Sequence, residues 1–190
     1  MLKRSVAGFG LAAPVAAALL VTWAGMVTPG YDPATRTISR LAEPGLPAAG
    51  EVEVALYLVA FALLGLAVAR QPRLWILIAG VLMLLVASIR LDPSSAAGTG
   101  VHRVASAVAM LALTRASFDQ RVPRIFGWIL VALLLASPVL LVAGFSAWGA
   151  WERCFAAAAM GPLMVMAATT MVSSDETMRA PAATASASGT

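Results

Sequence analysis

His102 is the only histidine in the sequence, and it opens an apolar run with Ser106 one helical turn further along the same face. An imidazole so placed suits general acid or base work, with Asp92 or Glu152 to orient it or to act as the acid. Ser39 adds a hydroxyl, so a Ser–His–Asp set can be written down, although no G-x-S-x-G elbow surrounds it. Arg40, Arg90 and Arg153 supply guanidinium groups, which match phosphate or carboxylate head groups bidentately. Tyr31 and Trp151 are aromatic rings that could line the apolar part of such a site. Each residue also has a plainer reading. The arginines can snorkel to headgroups, Asp92 before Pro93 can shape a turn, and Tyr31 and Trp151 can join Trp23 and Trp148 in an aromatic belt.

What holds these residues is a chain built for lipid. It is 61% hydrophobic and 12% charged, with a mean hydropathy of +0.88; a soluble domain carries about 25% charged residues. A membrane helix needs roughly 20 apolar residues, so 190 residues leave room for a helix bundle and for no second folded domain. The net charge of +4 would point to nucleic acid in a soluble protein. Here the basic residues flank apolar runs and read as topology signals, so no nucleic-acid partner is expected. Lys3 is the only lysine, which with the heavy Ala and Val usage suggests a high-GC bacterial genome.

The fold class expected is all-α: a polytopic bundle of six transmembrane helices over about 5–27, 51–69, 74–89, 101–117, 125–147 and 152–172. Met1–Arg4 followed by an apolar run resembles a signal peptide, but the run exceeds an h-region and no A-x-A site follows it, so it reads as a retained span. The fourth run is the weakest by hydropathy and should face protein more than lipid. Pro14, Pro138 and Pro162 interrupt the first, fifth and sixth runs. The loop 28–50 carries the densest polar pattern, YDPATRTISRLAEPGLP; within it Thr35–Leu41 reads as a short helical turn capped by Thr35, with Ile38 and Leu41 free to face the membrane. The Ala/Ser/Thr-rich tail 173–190 reads as disordered.

Charge sets the expected orientation. With the N-terminus inside, the inner ends carry Lys3, Arg4, Arg70, Arg73, Arg115, Arg121, Arg124 and Arg179 against Asp119, Asp175 and Glu176. The outer ends carry Arg36, Arg40, Arg90, Arg103 and Arg153 against Asp32, Glu43, Glu51, Glu53, Asp92 and Glu152. The positive-inside rule then places both termini in the cytoplasm of a cell bounded by a plasma (inner) membrane, and gathers the candidate site on the outer face beneath the 28–50 loop.

The run YDPATRTISRLAEPG after the first helix, a D-P after the third, VHRVASAVAM opening the fourth and E-R opening the sixth resemble the bacterial membrane proteins grouped as domain-of-unknown-function family 998. The likeness covers roughly residues 5–172, and Ser39, Asp92, His102, Glu152 and Arg153 are the matching positions. The resemblance implies the fold and the place of the site, not a reaction. A wider likeness to membrane hydrolases that use Ser, Asp and several His around zinc fails, because one His cannot supply the about three protein ligands a catalytic zinc needs. Cys154 stands alone, which excludes an internal disulfide and a thiolate cage. With no Gly-rich phosphate loop or paired haem histidines, neither metal nor cofactor is expected.

The function expected is binding or processing of a lipid-like or isoprenoid substrate at the outer leaflet by acid–base chemistry, with membrane lipids and a hydrophobic small molecule as partners. The alternatives are an accessory or scaffold subunit docking on a membrane-protein partner, and a small transporter. No inverted repeat relates the two halves, which weighs against transport.

Overall fold

The apolar runs form helices because a segment surrounded by lipid must satisfy its own backbone hydrogen bonds. A computed structural model of the chain describes residues 2–70, 74–92, 94–118 and 122–187, with side chains described to Ser174. Seven helices and no strands occur among them: α1 (Leu2–Val27), α2 (Ile38–Leu41), α3 (Ala49–Arg70), α4 (Leu74–Ser88), α5 (Ala96–Ala116), α6 (Arg124–Val142) and α7 (Trp148–Ala187). Five of them, α1, α3, α5, α6 and the Trp148–Ser174 part of α7, are long and apolar enough to cross a bilayer. The protein is an integral, multi-pass membrane protein. The expected third span is the 15-residue helix α4. At about 1.5 Å per residue it is shorter than the roughly 30 Å hydrocarbon layer.

Several boundaries differ from the sequence reading, each for a local reason. α5 begins at Ala96 because Ser95 caps it, its hydroxyl accepting from the Gly98 N–H at 3.1 Å. α6 ends at Val142 in a Schellman turn: Gly144 takes φ +70°, Phe145 N–H donates to the Leu140 carbonyl at 3.0 Å and Gly144 N–H to Leu141 at 3.3 Å. α2 starts after Thr37, not Thr35, and Thr37 makes no side-chain cap. Leu41 does not face lipid; it is fully buried against Ala24, Val52 and Ala48, because the loop folds down onto α1 and α3. Arg73, Pro93, Asp119 and Arg121 lie outside the described residues, as do the side chains of all but the first two residues of the tail.

The helices pack as a ring. α1 lies against α3 and α7, α3 against α4, α4 against α5, and α6 bridges α5 and α7 by few contacts, while α2 caps one end. The core is rich in alanine: Ala7, Ala13, Ala17 and Ala24 of α1, Ala55, Ala60 and Ala62 of α3, and Ala105, Ala109 and Ala112 of α5 are buried. Large side chains such as Leu19, Val68 and Leu135 point outward and stay exposed. This is packing for lipid, where apolar surface has no reason to hide and close backbone approach holds helices together. At Gly10 a Cβ would come within 3.0 Å of Ala167, so glycine there sets the α1–α7 separation.

α6 is the loosest member. Only Gly127 and Leu130 are buried, both in its first half. Leu130 reaches into Phe155 and Ala159 of α7 beside Met110 and Leu113 of α5, and closes that part of the seam between them.

Candidate functional site

Beneath α2 a partly open chamber of about 330 Å³ lies between the helices. Its walls are apolar: Ala17, Ala18 and Val21 of α1, Ala55 and Val59 of α3, Met83 and Val86 of α4, Ala109, Met110 and Leu113 of α5, and Phe155, Ala156 and Met160 of α7. Four other lining residues carry polar side chains within a short arc toward the loop end: Ser39, Ser106, Glu152 and Arg153; Thr22 of α1 adds a fifth. The volume lies at the low end of the about 300–1,000 Å³ usual for small-molecule pockets. The three methionines are unbranched and flexible, a lining that adapts to chains of irregular shape.

The Glu152–Arg153 pair in the first turn of α7 holds the loop over this chamber. The Glu152 carboxylate accepts from the Ile38 N–H, and the Ser39 hydroxyl donates to it at 3.3 Å. It thereby replaces the cap that Thr37 does not provide at the start of α2. Arg153 donates to the carbonyls of Pro33 at 2.9 Å, Arg36 at 3.2 Å and Gly149 at 3.0 Å, and to the Tyr31 hydroxyl. Its guanidinium also lies 5.5 Å from the Tyr31 ring centroid, in cation–π range. The Tyr31 hydroxyl in turn donates to the Arg36 carbonyl at 2.9 Å, and the Ala150 N–H to Ala34 at 2.9 Å. Gly149 makes the approach possible, since a Cβ there would lie 2.2 Å from the Arg36 oxygen and 2.6 Å from that of Pro33. Burial raises the Tyr31 phenol above its usual range, and the Arg153 hydrogen bond and charge offset part of that.

His102 is buried, with 2% of its surface exposed. Its Nδ1 lies 2.6 Å from the Ile89 carbonyl just past the end of α4. A carbonyl only accepts, so Nδ1 carries a hydrogen, while the other ring nitrogen, Nε2, points elsewhere. That Nε2 is buried with no hydrogen-bond partner. Thr99, one turn earlier on α5, donates to the Asp92 carbonyl at 2.8 Å. Two side chains of α5 thus satisfy carbonyls that α4 and its following turn leave open. His102 stands one turn before Ser106 on α5, and it is not among the residues that line the chamber.

The family described as "Protein of unknown function (DUF998)" matches residues 11–169, most of the chain. The protein belongs to the DUF998 family. No curated protein and no solved structure matches it.

In this DUF998 chain the candidates divide into two groups. Ser39, Glu152, Arg153 and Tyr31 are brought together where the loop meets α7. The others lie apart. Asp92 accepts from the Ser94 hydroxyl at 2.7 Å and the Ser94 N–H at 2.8 Å, bonds that hold its carboxyl below the usual range, and it makes no bond to His102. Arg90 pairs with Glu53 of α3. Arg40 pairs with Glu43 at 3.4 Å and borders a separate cleft on the far side of the loop with Tyr31, Thr35 and Arg36. Trp151 donates from its indole N–H to Ser137 at 3.0 Å and packs against Phe145, tying α7 to α6 and not lining the chamber. Asp32, next to Tyr31, accepts from the Thr35 hydroxyl at 2.7 Å and the Ala34 N–H at 2.9 Å, which keeps its carboxyl below the usual range and fixes the turn.

Sequence reasoning passed over Thr22 and Gly149. Thr22 is a lone hydroxyl deep in an apolar run, and Gly149 looked like an ordinary turn glycine between two tryptophans. Arg70, read as a topology signal, donates to the Met166 carbonyl at 2.5 Å and the Thr169 hydroxyl at 2.7 Å, and so ties α3 to α7 at the end of the bundle away from the loop. Among the described residues no group of three or more His, Cys, Asp or Glu side chains is placed to hold a metal.

Proposed function

We propose that this DUF998 protein binds a lipid-like, apolar-tailed molecule in the chamber beneath the loop, with the molecule's polar end at Glu152, Ser39 and Ser106. The observation that carries the reading is the chamber itself, apolar along its walls and polar only near the pinned loop. An amphiphile fits that polarity; a free ion or sugar does not. The proposal includes six spans, α4 among them, with both termini in the cytoplasm and the loop on the outer face of the plasma membrane. The basic residues at the ends remote from the loop support that orientation.

Binding is the core of this reading, and isoprenoid alcohols and lipids are the substrate class it favours. Acid–base chemistry has thinner support, because the Nδ1 of His102 is oriented by a backbone carbonyl while Asp92 is occupied with Ser94. One observation favours a second reading, a subunit that docks a membrane-protein partner through the loop: Arg40–Glu43 in the loop and Arg90–Glu53 beside it are exposed and present a charged surface there.

The test is photolabelling in nanodiscs with a long-chain lipid analogue carrying a diazirine at its tail. Labelled peptides should map to the chamber walls of α1, α5 and α7. Ala157 and Ala18 line the chamber yet are exposed, so Ala157→Trp and Ala18→Phe fill it without displacing the packed core. Both should abolish that labelling. Labelling confined to outward residues such as Leu19 and Leu135, unchanged in both variants, would refute the chamber as a binding site.

A further inference from the structure

Resting on the reading of the chamber as a ligand site, we infer that the ligand is an uncharged long-chain alcohol, held as a hydrogen-bond donor through its hydroxyl, and not an anionic lipid. The chamber's polar atoms are short of donors. The Thr22 hydroxyl already gives its one hydrogen to the Ala18 carbonyl at 2.8 Å, and the Ser106 hydroxyl gives its own to the His102 carbonyl at 2.8 Å. Each therefore turns only lone pairs to the chamber. The Glu152 carboxylate is an acceptor, and one of its oxygens meets only the long bond from Ser39.

The cation at this end does not reverse the balance. Arg153 directs both terminal nitrogens to oxygens of the loop, of Gly149 and of Tyr31. Its guanidinium neighbours the Glu152 carboxyl in the first turn of α7, so it is not presented alone to a phosphate or a carboxylate. A phosphate or carboxylate head would bring further acceptors to a wall of acceptors, with its hydration lost and few donors in return. A hydroxyl brings the one thing the wall needs, a donor, which the Glu152, Thr22 or Ser106 oxygens can accept. The apolar walls with Met83, Met110 and Met160 take the chain.

The experiment is competition against the tail-diazirine form of dodecanol on the full-length protein in nanodiscs. The competitors are dodecanol, dodecanoate, dodecyl phosphate and dodecylammonium. Dodecanol should displace the probe at a concentration at least about tenfold below the other three, as expected for one or two added hydrogen bonds. The double variant Thr22→Val, Ser106→Ala should shrink that preference to about threefold or less while Ala157→Trp removes labelling altogether. Dodecyl phosphate or dodecanoate competing as well as dodecanol, with labelling still blocked by Ala157→Trp, would overturn this inference and leave the chamber as a site. Dodecylammonium winning would overturn it in favour of a cationic head paired with Glu152. Chamber labelling absent with every probe would overturn both this inference and the function on which it rests.

Discussion

The Glu152 carboxylate in the first turn of α7 caps α2 across 114 positions of sequence, accepting the backbone N–H of Ile38. Together with Arg153 it makes the roof of the chamber part of the last helix's structure. Loop position and chamber polarity are therefore set by one pair of residues, and a change at either should register at both.

Glu152→Ala should free the loop. It leaves the Ile38 N–H without its acceptor, at a cost of about 1–3 kcal/mol for a group out of water. Cleavage by trypsin after Arg36 and Arg40 should speed up, while Glu152→Gln, which keeps an acceptor oxygen, should retain most of the protection. Equal cleavage rates for the native protein and the alanine variant would mean that Arg153 alone holds the loop.

His102→Phe should lower the thermal midpoint in detergent. The ring's packing is largely kept, but the Ile89 carbonyl loses its donor, again about 1–3 kcal/mol. His102→Gln, which keeps an N–H donor, should recover part of the loss. If the phenylalanine variant melted with the native protein, the tie to α4 would be energetically idle and the unpaired Nε2 would be the reason for a histidine there.

High pH should loosen the same loop through Tyr31. Burial raises this phenol in the folded protein, so its contribution to stability is complete below the unfolded value, near 10, and is lost as the pH rises through the higher folded value. The cause is the burial, which disfavours the charged phenolate; once ionised, the oxygen also cannot donate to the Arg36 carbonyl. Ultraviolet difference titration of the native protein against Tyr31→Phe reads Tyr31 alone. Ionisation later than that of a free tyrosine is expected; ionisation at or before it would show that the Arg153 charge outweighs burial.

Sequence alone determined a good deal. Long apolar runs with few charges specify membrane helices, because a backbone in lipid has no other way to satisfy itself. Five of the six expected runs are helices of spanning length, and the third, α4, is present but short. The polar loop and the E-R pair stood out against an apolar background, and motif order along the chain already resembled the family to which the protein belongs. Residue identity could not reveal pairing. Arg153 looked like a headgroup ligand until the approach at Gly149 brought it onto the carbonyls of Pro33 and Arg36. Asp92 and His102 looked like partners, yet a serine two residues on takes the carboxylate and a carbonyl at the end of α4 takes the imidazole. Thr22, Ser106 and Met160 carry no signal of a shared chamber, since they lie on three helices far apart in sequence. Local patterns act through the backbone's own hydrogen bonding and can be read one segment at a time; a site made by side chains from several helices exists only once the packing of small residues has set how close those helices come.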